Sequence, residues 1–255
     1  MILTDTHTHI YYQTDPVEQN AQLQRCFENN IKRLFLPNVD SKSVPLVLAL
    51  AQQFPETCFP MLGLHPCDVK EDYETELALI ADAISKNKIY AIGEIGIDLY
   101  WDKSFLQQQQ DAFNRQIEQA KSLNLPIVIH CREAFDEVFE ILAAQRDEKL
   151  RGIFHCFTGS LEQAQQAIDL GFYLGIGGVL TYKKAGLDKV VEQLSLANLV
   201  LETDSPYLAP VPHRGKPNES AYLIYVAQKL ADLKQTSLQQ VAEITTANSY
   251  KVFGI

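Results

Sequence analysis

Eight short apolar runs alternate with longer amphipathic stretches along the whole chain, and this alternation limits the folds it can adopt. The runs are rich in Val, Ile, Leu, Phe and Tyr, which is typical of buried parallel strands. They cover residues 2–7, 33–39, 58–64, 89–95, 126–130, 152–157, 172–177 and 199–204. Helical patterns lie between them, near residues 16–29, 41–53, 71–87, 104–123, 134–147, 160–170 and 184–195.

Strands that alternate with helices form a parallel sheet, because each crossover between parallel strands needs a long connection. Eight such units in 255 residues predict an α/β protein, a (β/α)8 barrel of the TIM type. Two more helical patterns follow the last strand, near 219–233 and 237–252, so we expect a distorted barrel with an extra C-terminal helix. No linker or composition shift interrupts the chain, which predicts one domain over residues 1–255.

Local signals mark several boundaries of these elements. Asp15 before Pro16 and Asp40 before Ser41 predict helix starts, and Gly171 predicts a helix end. The proline-rich segment 205–212 follows the eighth strand directly. We expect it to form a stiff loop over the barrel mouth, where loops of this fold carry function.

Net charge restricts the partners of the chain. It has 32 acidic and 22 basic residues, a formal net charge of −10. A broad electrostatic grip on duplex DNA needs many Lys and Arg contacts to phosphates, so the balance argues against one. A nucleic-acid end held at a metal site stays possible, because bound cations invert the local field.

Cysteine usage and the N-terminus indicate the compartment. Five cysteines with no C-x-x-C pair argue against a disulfide framework and favour a reducing cytosol. No basic and apolar leader opens the chain, and no apolar run approaches the ~20 residues of a membrane span. We expect a cytoplasmic enzyme without membrane association and without an obligate protein partner.

Histidines and carboxylates lie where the predicted strands end. They are His7 and His9 on the first strand, His65 on the third, Glu94 on the fourth, His130 on the fifth, His155 on the sixth and Asp204 on the eighth. In a parallel barrel all strands end at one rim, so we expect these side chains to meet there. Imidazole and carboxylate without thiolate suit Mg, Mn, Zn or Fe, and the residues alone do not choose among them.

The number of ligand-type residues predicts two divalent cations. The first set is His7, His9, Glu94 and Asp204, and the second set is Glu94, His130 and His155. Glu94 is the expected bridge, since a carboxylate within AIGEIGI is costly to bury unpaired; the alternative is a salt-bridged core glutamate. Two ions would activate a water and stabilise charge on attacking and leaving oxygens. Asp204 is the expected general base for that water.

Five residues are candidates for contact with substrate. His65 would meet a substrate phosphate or assist the leaving group, unless it is only a hydrogen-bonded rim histidine. The guanidinium groups of Arg132 and Arg214 match a phosphate in bidentate geometry, and the alternative for each is a solvated charge. Tyr100 and Trp101 would stack on a nucleobase or cover the barrel top.

Other polar residues near the strand ends have open roles. Asp5 would hold a histidine ring by a hydrogen bond, and Glu202 would orient ligands or waters. Asp98 is expected to be either a loop residue or an acid that supports a metal ligand. Lys216 would add a positive charge, and His213 is not expected to bind metal. The thiols that follow the candidate ligands, Cys131 and Cys156, are expected to pack rather than bind metal.

The motifs together resemble the TatD family of metal-dependent deoxyribonucleases, among the amidohydrolase-like TIM barrels. The matching segments are DTHTH (5–9), GLHP (63–66), GEIGID (93–98), HCREA (130–134), HCFTGS (155–160), GIGGVLTY (175–182), ETDSPYLAP (202–210) and RGKPN (214–218). They occur in family order over nearly the whole chain. Ser220 and Ile97 depart from the residues frequent in the family, and Glu94 stands where related amidohydrolases have a modified lysine.

The resemblance implies a barrel with a divalent-metal site. It implies that the metal ligands are His7, His9, Glu94, His130, His155 and Asp204. It also implies that His65 lies near the scissile phosphate. It also implies action on DNA, with trimming of single strands from the 3′ end assisted by Mg or Mn.

Three functions follow as hypotheses. The first is a metal-dependent 3′–5′ exodeoxyribonuclease with a single-stranded DNA or nucleotide substrate. The second is a hydrolase of a small ester, lactone or amide in the same site, which the acidic surface favours. The third is a non-catalytic scaffold, against which the complete ligand set argues.

Overall fold

The computed structural model describes residues 1–255 and contains eight strands and nine α-helices. The strands are β1 Leu3–Asp5, β2 Ile31–Pro37, β3 Cys58–Met61, β4 Ile92–Asp98, β5 Ile127–Arg132, β6 Gly152–Phe154, β7 Phe172–Ile176 and β8 Leu199–Leu201. The helices are α1 Pro16–Glu28, α2 Val44–Gln53, α3 Tyr73–Lys86, α4 Leu106–Leu123, α5 Phe135–Ala144, α6 Leu161–Asp169, α7 Leu187–Gln193, α8 Leu223–Leu233 and α9 Leu238–Phe253.

All strands are parallel and follow chain order in two groups, β1–β2–β3 and β4 to β8. A few backbone hydrogen bonds join the groups on both sides. The Thr6 N–H donates to the Leu201 carbonyl at 3.0 Å, and the Gly93 N–H donates to the Leu62 carbonyl at 3.0 Å. These two narrow seams complete the ring of eight strands, so the predicted distorted (β/α)8 barrel is confirmed.

Strand ends differ from the predicted ones at the mouth of the barrel. Six strands stop early, and three of these are β1, β6 and β8. His7, His9, His155 and Asp204 lie one to four residues beyond those three strands. There the chain leaves the ladder to enter the loops, while β4 runs further than expected, to Asp98.

Helix boundaries agree with two of the three local signals. The Asp15 carboxylate accepts the Val17 N–H at the start of α1, and Gly171 has a φ of 92° just after α6. The prediction that a helix starts at Asp40-Ser41 is wrong, because α2 begins at Val44. The Asp40 carboxylate instead accepts the backbone and hydroxyl hydrogens of Ser43, which closes a turn before the helix.

The C-terminal helix α9 closes the barrel at the end opposite the mouth. Its Phe253 ring stacks on Phe35 of β2 with centroids 3.7 Å apart. Around this pair lies a separate apolar cluster that includes Phe59, Met61 and Val128. The lower barrel is therefore a packed hydrophobic layer, and the polar side chains lie above it. None of the helices combines the length and the apolar character that crossing a membrane requires.

Close packing between β5 and β6 gives a stability prediction. A Cβ on Gly152 would lie 1.9 Å from the Ile127 carbonyl oxygen, so Gly152→Ala must push two strands apart. We expect a loss of about 3 kcal/mol or more in the free energy of unfolding. Gly186→Ala is the control, because its Cβ meets nothing within 4 Å although φ is 76°; backbone strain alone costs about 1 kcal/mol there. Urea denaturation measures both, and equal losses would contradict the packing argument.

Candidate metal centre

The carboxylate of Glu94 lies at the centre of the barrel mouth. Glu94 has no pairing partner in the β4–β5 ladder, where the register shifts between Gly93 and Ile95. Such an irregularity turns a side chain away from its regular direction. The carboxylate is buried, and imidazoles from four other strands surround it.

Each oxygen of Glu94 faces its own group of histidines. Oε1 lies 2.8 Å from His130 Nδ1, 2.8 Å from His155 Nε2 and 3.2 Å from His65 Nε2. Oε2 lies 3.1 Å from His7 Nε2 and 3.9 Å from His9 Nε2. The carboxylate therefore connects two separate clusters of nitrogen atoms.

Asp204 adds a second carboxylate to the histidines that face Glu94 Oε2. Its Oδ1 lies 3.6 Å from His9 Nε2 and 3.9 Å from His7 Nε2. The backbone holds it in place, because the Asp204 N–H donates to the His7 carbonyl at 2.9 Å across the β8–β1 seam. The closed barrel thus brings together side chains from the first and last strands.

The structure brings all seven predicted rim residues into one constellation. Donor atoms within 4.8 Å of one another form three groups: His7, His155 and Asp204; His7, His9 and Glu94; His65, Glu94 and His130. His65 is closer to Glu94 than sequence reasoning placed it. The order of the strands could have indicated this closeness, because the third and fourth strands are neighbours in a barrel. Metal binding by these residues stays a prediction.

Two of the histidines lie between Glu94 and a further carboxylate. His130 Nε2 lies 2.8 Å from Asp98 Oδ2, and His155 Nδ1 lies 3.4 Å from Glu202 Oε1. Carboxylates on the far nitrogen orient a metal-binding imidazole. Burial raises the pKa of Asp98, but the hydrogen bond from His130 outweighs it and the pKa falls to about 2.

His9 has a different partner, which sequence reasoning missed. Its Nδ1 lies 2.9 Å from the Tyr11 hydroxyl oxygen, and that hydroxyl donates to the Pro37 carbonyl at 2.7 Å. Because the hydroxyl has one hydrogen, His9 Nδ1 must donate, which leaves the lone pair on Nε2 facing Glu94 and Asp204. No periodic signal marks Tyr11, since it lies in the irregular segment after β1.

The expectation that Asp5 holds a histidine ring is wrong. Its carboxylate accepts the Thr203 N–H at 2.9 Å, the Thr203 hydroxyl at 2.6 Å and the backbone N–H of His7. Burial raises the pKa of Asp5 to about 7 against these hydrogen bonds. Asp5 therefore fastens β1 to the segment after β8, because the carboxylate reaches backbone groups before it reaches a ring.

The electrostatics of the cluster fit a divalent cation. Burial raises the pKa of Glu94, but the imidazoles of His155, His65 and His7 outweigh it and lower the pKa well below its usual range. Burial lowers the pKa of His7, so its ring is neutral. Its Nδ1 has no hydrogen-bond partner, and its Nε2, although 3.1 Å from Glu94 Oε2, forms no hydrogen bond of normal geometry. A buried polar atom without a partner is costly, and a cation beside His7 Nε2 would remove that cost. A divalent cation therefore fits the donors.

The candidate substrate residues lie at the rim. The guanidinium carbon of Arg132 lies 3.7 Å from the centroid of the Tyr100 ring. The guanidinium carbon of Arg214 lies 4.3 Å from the centroid of the Tyr182 ring. Neither guanidinium forms an ion pair, and Lys216 is exposed and also unpaired. Their contact with substrate stays a prediction.

His213 and the thiols lie outside the donor groups. The His213 ring stacks on Tyr222 with centroids 3.8 Å apart. Burial raises the pKa of Cys131 to about 12, which keeps it a neutral thiol. The expectation that none of them binds metal stays a prediction.

A parallel (β/α)8 barrel with imidazoles and carboxylates at its mouth defines a class, the metal-dependent hydrolases of the TIM-barrel type. The family described as TatD related DNase matches residues 4–254. The chain therefore belongs to the TatD family, and the predicted metal-dependent hydrolase is confirmed at this level.

Relatives and solved structures agree along the whole chain. The chain is 36% identical over 255 residues to the uncharacterized metal-dependent hydrolase YabD of Bacillus subtilis, with 100% of both chains covered. It is 33% identical to the 3′-5′ ssDNA/RNA exonuclease TatD of Salmonella typhimurium, covering 93% of this chain and 94% of that one. The crystal structure of YjjV, a TatD homolog from Escherichia coli, superposes with a TM-score of 0.93 at 29% identity, covering 99% and 98% of the two chains.

Removal of metal should lower thermal stability. A cation bound at ~100 times its Kd stabilises the folded state by about 2.7 kcal/mol, which corresponds to a fall in Tm of about 5–10 °C on chelation. Differential scanning calorimetry measures the Tm with and without chelator, and metal analysis gives the number of ions. Sodium chloride at matched ionic strength is the control. A Tm that neither chelator nor added Mg, Mn or Zn changes would contradict a resident metal.

Glu202 should support metal binding through His155. The Glu202→Gln variant loses the charge beside His155 Nδ1, and we expect metal affinity to fall about 10–100-fold. Isothermal titration calorimetry measures the affinity. Glu118→Gln, a matched change on the exposed face of α4, is the control and should bind metal like wild type. Equal affinity in both variants would mean that Glu202 only fills space.

Proposed function

We propose that the protein is a metal-dependent 3′–5′ exonuclease that hydrolyses phosphodiester bonds of single-stranded DNA. One observation carries the proposal, namely that the two oxygens of Glu94 face separate histidine clusters. That arrangement suits two neighbouring cations, as in many enzymes that act on phosphodiesters. The similarity to the Salmonella exonuclease supports the same substrate class and extends it to RNA.

We assign the cations to the two sides of Glu94. His7, His9 and Asp204 would hold one with Oε2, and His130 and His155 would hold the other with Oε1. When bound, divalent cations would activate a water and neutralise charge on the phosphate. The ion is Mg, Mn, Zn or Fe, since the donor set suits each of them.

Asp204 would act as the general base. Burial raises its pKa, but the neighbouring imidazoles of His9, His155 and His7 outweigh it, and the pKa is lowered. The carboxylate is therefore ionised near neutral pH and can accept a proton. Its side chain is partly exposed at the mouth, where a water can reach it.

His65 would contact the substrate rather than a cation. Its Nδ1 accepts the Cys67 N–H at 3.0 Å, so the hydrogen of the neutral ring lies on Nε2. A nitrogen that carries hydrogen donates to an oxygen and cannot bind metal. Nε2 faces the centre beside Glu94 Oε1, where a phosphate oxygen or a leaving group would receive that hydrogen bond.

Arg132 and Arg214 would bind backbone phosphates, because neither guanidinium is paired with a carboxylate and both are at the rim. We also propose a cytoplasmic location, which the five free cysteines support. No obligate protein partner is needed for the proposed activity, because every residue assigned to it lies in this chain.

Loss of the proposed base should abolish nuclease turnover. For Asp204→Asn we expect kcat on a 3′-labelled single strand to fall about 10²–10⁴-fold. Asp82→Asn is the matched control, since Asp82 pairs only with Lys86 on the surface of α3, and it should retain wild-type kcat. Turnover that persists in Asp204→Asn would refute its role, and a wild type that cleaves nothing would favour a scaffold.

Hydrolysis of a small ester, lactone or amide in the same site is the second candidate. The net charge of −10 favours it, because a long polyanion usually binds to a basic surface. Side-by-side assays with single-stranded DNA, 3′-blocked DNA, bis-p-nitrophenyl phosphate, p-nitrophenyl acetate and lactones decide between them. We expect cleavage of unblocked DNA and of the phosphodiester; activity on carboxylic esters or lactones alone would replace the exonuclease proposal.

A further inference from the structure

Two large aromatic rings stand out from the rim on the loop after β4. Trp101 is the only tryptophan of the chain, and 70% of it is exposed. Tyr100 is 48% exposed, and the two rings are perpendicular with centroids 4.9 Å apart. Sequence reasoning left open whether they cover the barrel. A ring that covered the barrel would be buried against it, so the exposure of Trp101 excludes that role.

Arg132 adds a flat positive charge to these rings. Its guanidinium carbon lies 3.7 Å from the Tyr100 centroid and 5.5 Å from the Trp101 centroid. Stacking on aromatic rings holds a guanidinium flat and leaves its edge free to bind a phosphate. We call Tyr100, Trp101 and Arg132 the stacking pad.

The stacking pad is attached rigidly to the candidate metal centre. Asp98 Oδ1 accepts the N–H of Tyr100 at 3.0 Å and the N–H of Trp101 at 3.1 Å, while its Oδ2 contacts His130 Nε2 at 2.8 Å. Arg132 lies two residues after His130 on β5, and its carbonyl accepts the Leu99 N–H. One carboxylate therefore positions both a candidate ligand and the stacking pad.

We propose that the stacking pad is a subsite for one unpaired nucleobase beside the phosphate at the metal centre. This inference rests on the proposed nuclease function. The base stacks on Trp101, and Arg132 binds the phosphate next to it. Stacking on an aromatic ring accepts every base, because each has a π-face. It also selects single strands, because bases in a duplex are stacked on their neighbours.

Fluorescence of Trp101 reports on the subsite directly, because no other tryptophan contributes emission. The metal-loaded protein is titrated with a cleavage-resistant phosphorothioate oligothymidylate and with an abasic oligomer of equal charge. We expect saturable quenching by the first and an affinity about tenfold lower for the second, since one stacked base contributes about 1–3 kcal/mol. Equal quenching and affinity for both oligomers would overturn the proposal.

Variants separate stacking from general damage to the loop. We expect Trp101→Ala to raise KM on single-stranded DNA about tenfold with kcat changed less than twofold, and Trp101→Phe to restore most of the loss. Tyr250→Ala is the control, since Tyr250 is 56% exposed on α9, near the closed end of the barrel. An unchanged KM in Trp101→Ala would reject the subsite.

Failure of the subsite and failure of the proposed function give different results. If wild type cleaves single strands but removal of the base or of Trp101 changes neither affinity nor KM, the subsite is wrong and the exonuclease stands. If wild type cleaves no nucleic acid, the proposed function is wrong. Quenching that requires the base would then still support the subsite, and its absence would reject the subsite too.

Discussion

The buried carboxylate of Glu94 is the constraint on which the rest of the mouth depends. Burying an unpaired charge costs several kcal/mol, so it persists only with close partners. Here the partners are imidazoles from β1, β3, β5 and β6, which a sheet could not bring to one carboxylate unless it closed on itself. Narrow seams at β3–β4 and β8–β1 therefore matter more than their few hydrogen bonds suggest. They place His7 against His155, with ring centroids 3.8 Å apart.

In His9 and His65, the hydrogen bond made by Nδ1 determines whether Nε2, which faces the metal centre, carries a hydrogen. Tyr11 fixes the hydrogen of His9 on Nδ1, which leaves Nε2 as an electron-pair donor. The Cys67 N–H does the reverse for His65 and leaves a hydrogen on Nε2. Two rings at one rim thus have opposite capacities, one to bind a cation and one to donate to an oxygen. The surrounding hydrogen bonds, and not residue type, determine this difference.

The alternation of apolar and amphipathic segments predicted the fold, and the order of the strands predicted that the seven rim residues meet. Both predictions succeeded because they depend on regular backbone geometry that recurs along the sequence. The parts that failed depend on irregular backbone. Asp5 was expected to contact a ring, but it is in β1 itself and meets the backbone and hydroxyl of Thr203 instead. Tyr11 lies in a short 3-10 turn after β1, where no spacing rule indicates its direction. The Asp40 turn shifted the start of α2 for the same reason.

The acidic surface is compatible with a nucleic-acid substrate if recognition is local. Binding along a duplex gains affinity from many phosphate contacts, and a net charge of −10 opposes this over any long track. A chain end needs only the metal centre, one or two guanidiniums and a ring on which to stack. Unpaired bases offer their faces freely, whereas a base in a duplex must first be unstacked at a cost of a few kcal/mol. In the proposed function, repulsion by the acidic surface and selection by stacking would therefore act in the same direction, against duplexes and in favour of single-stranded ends.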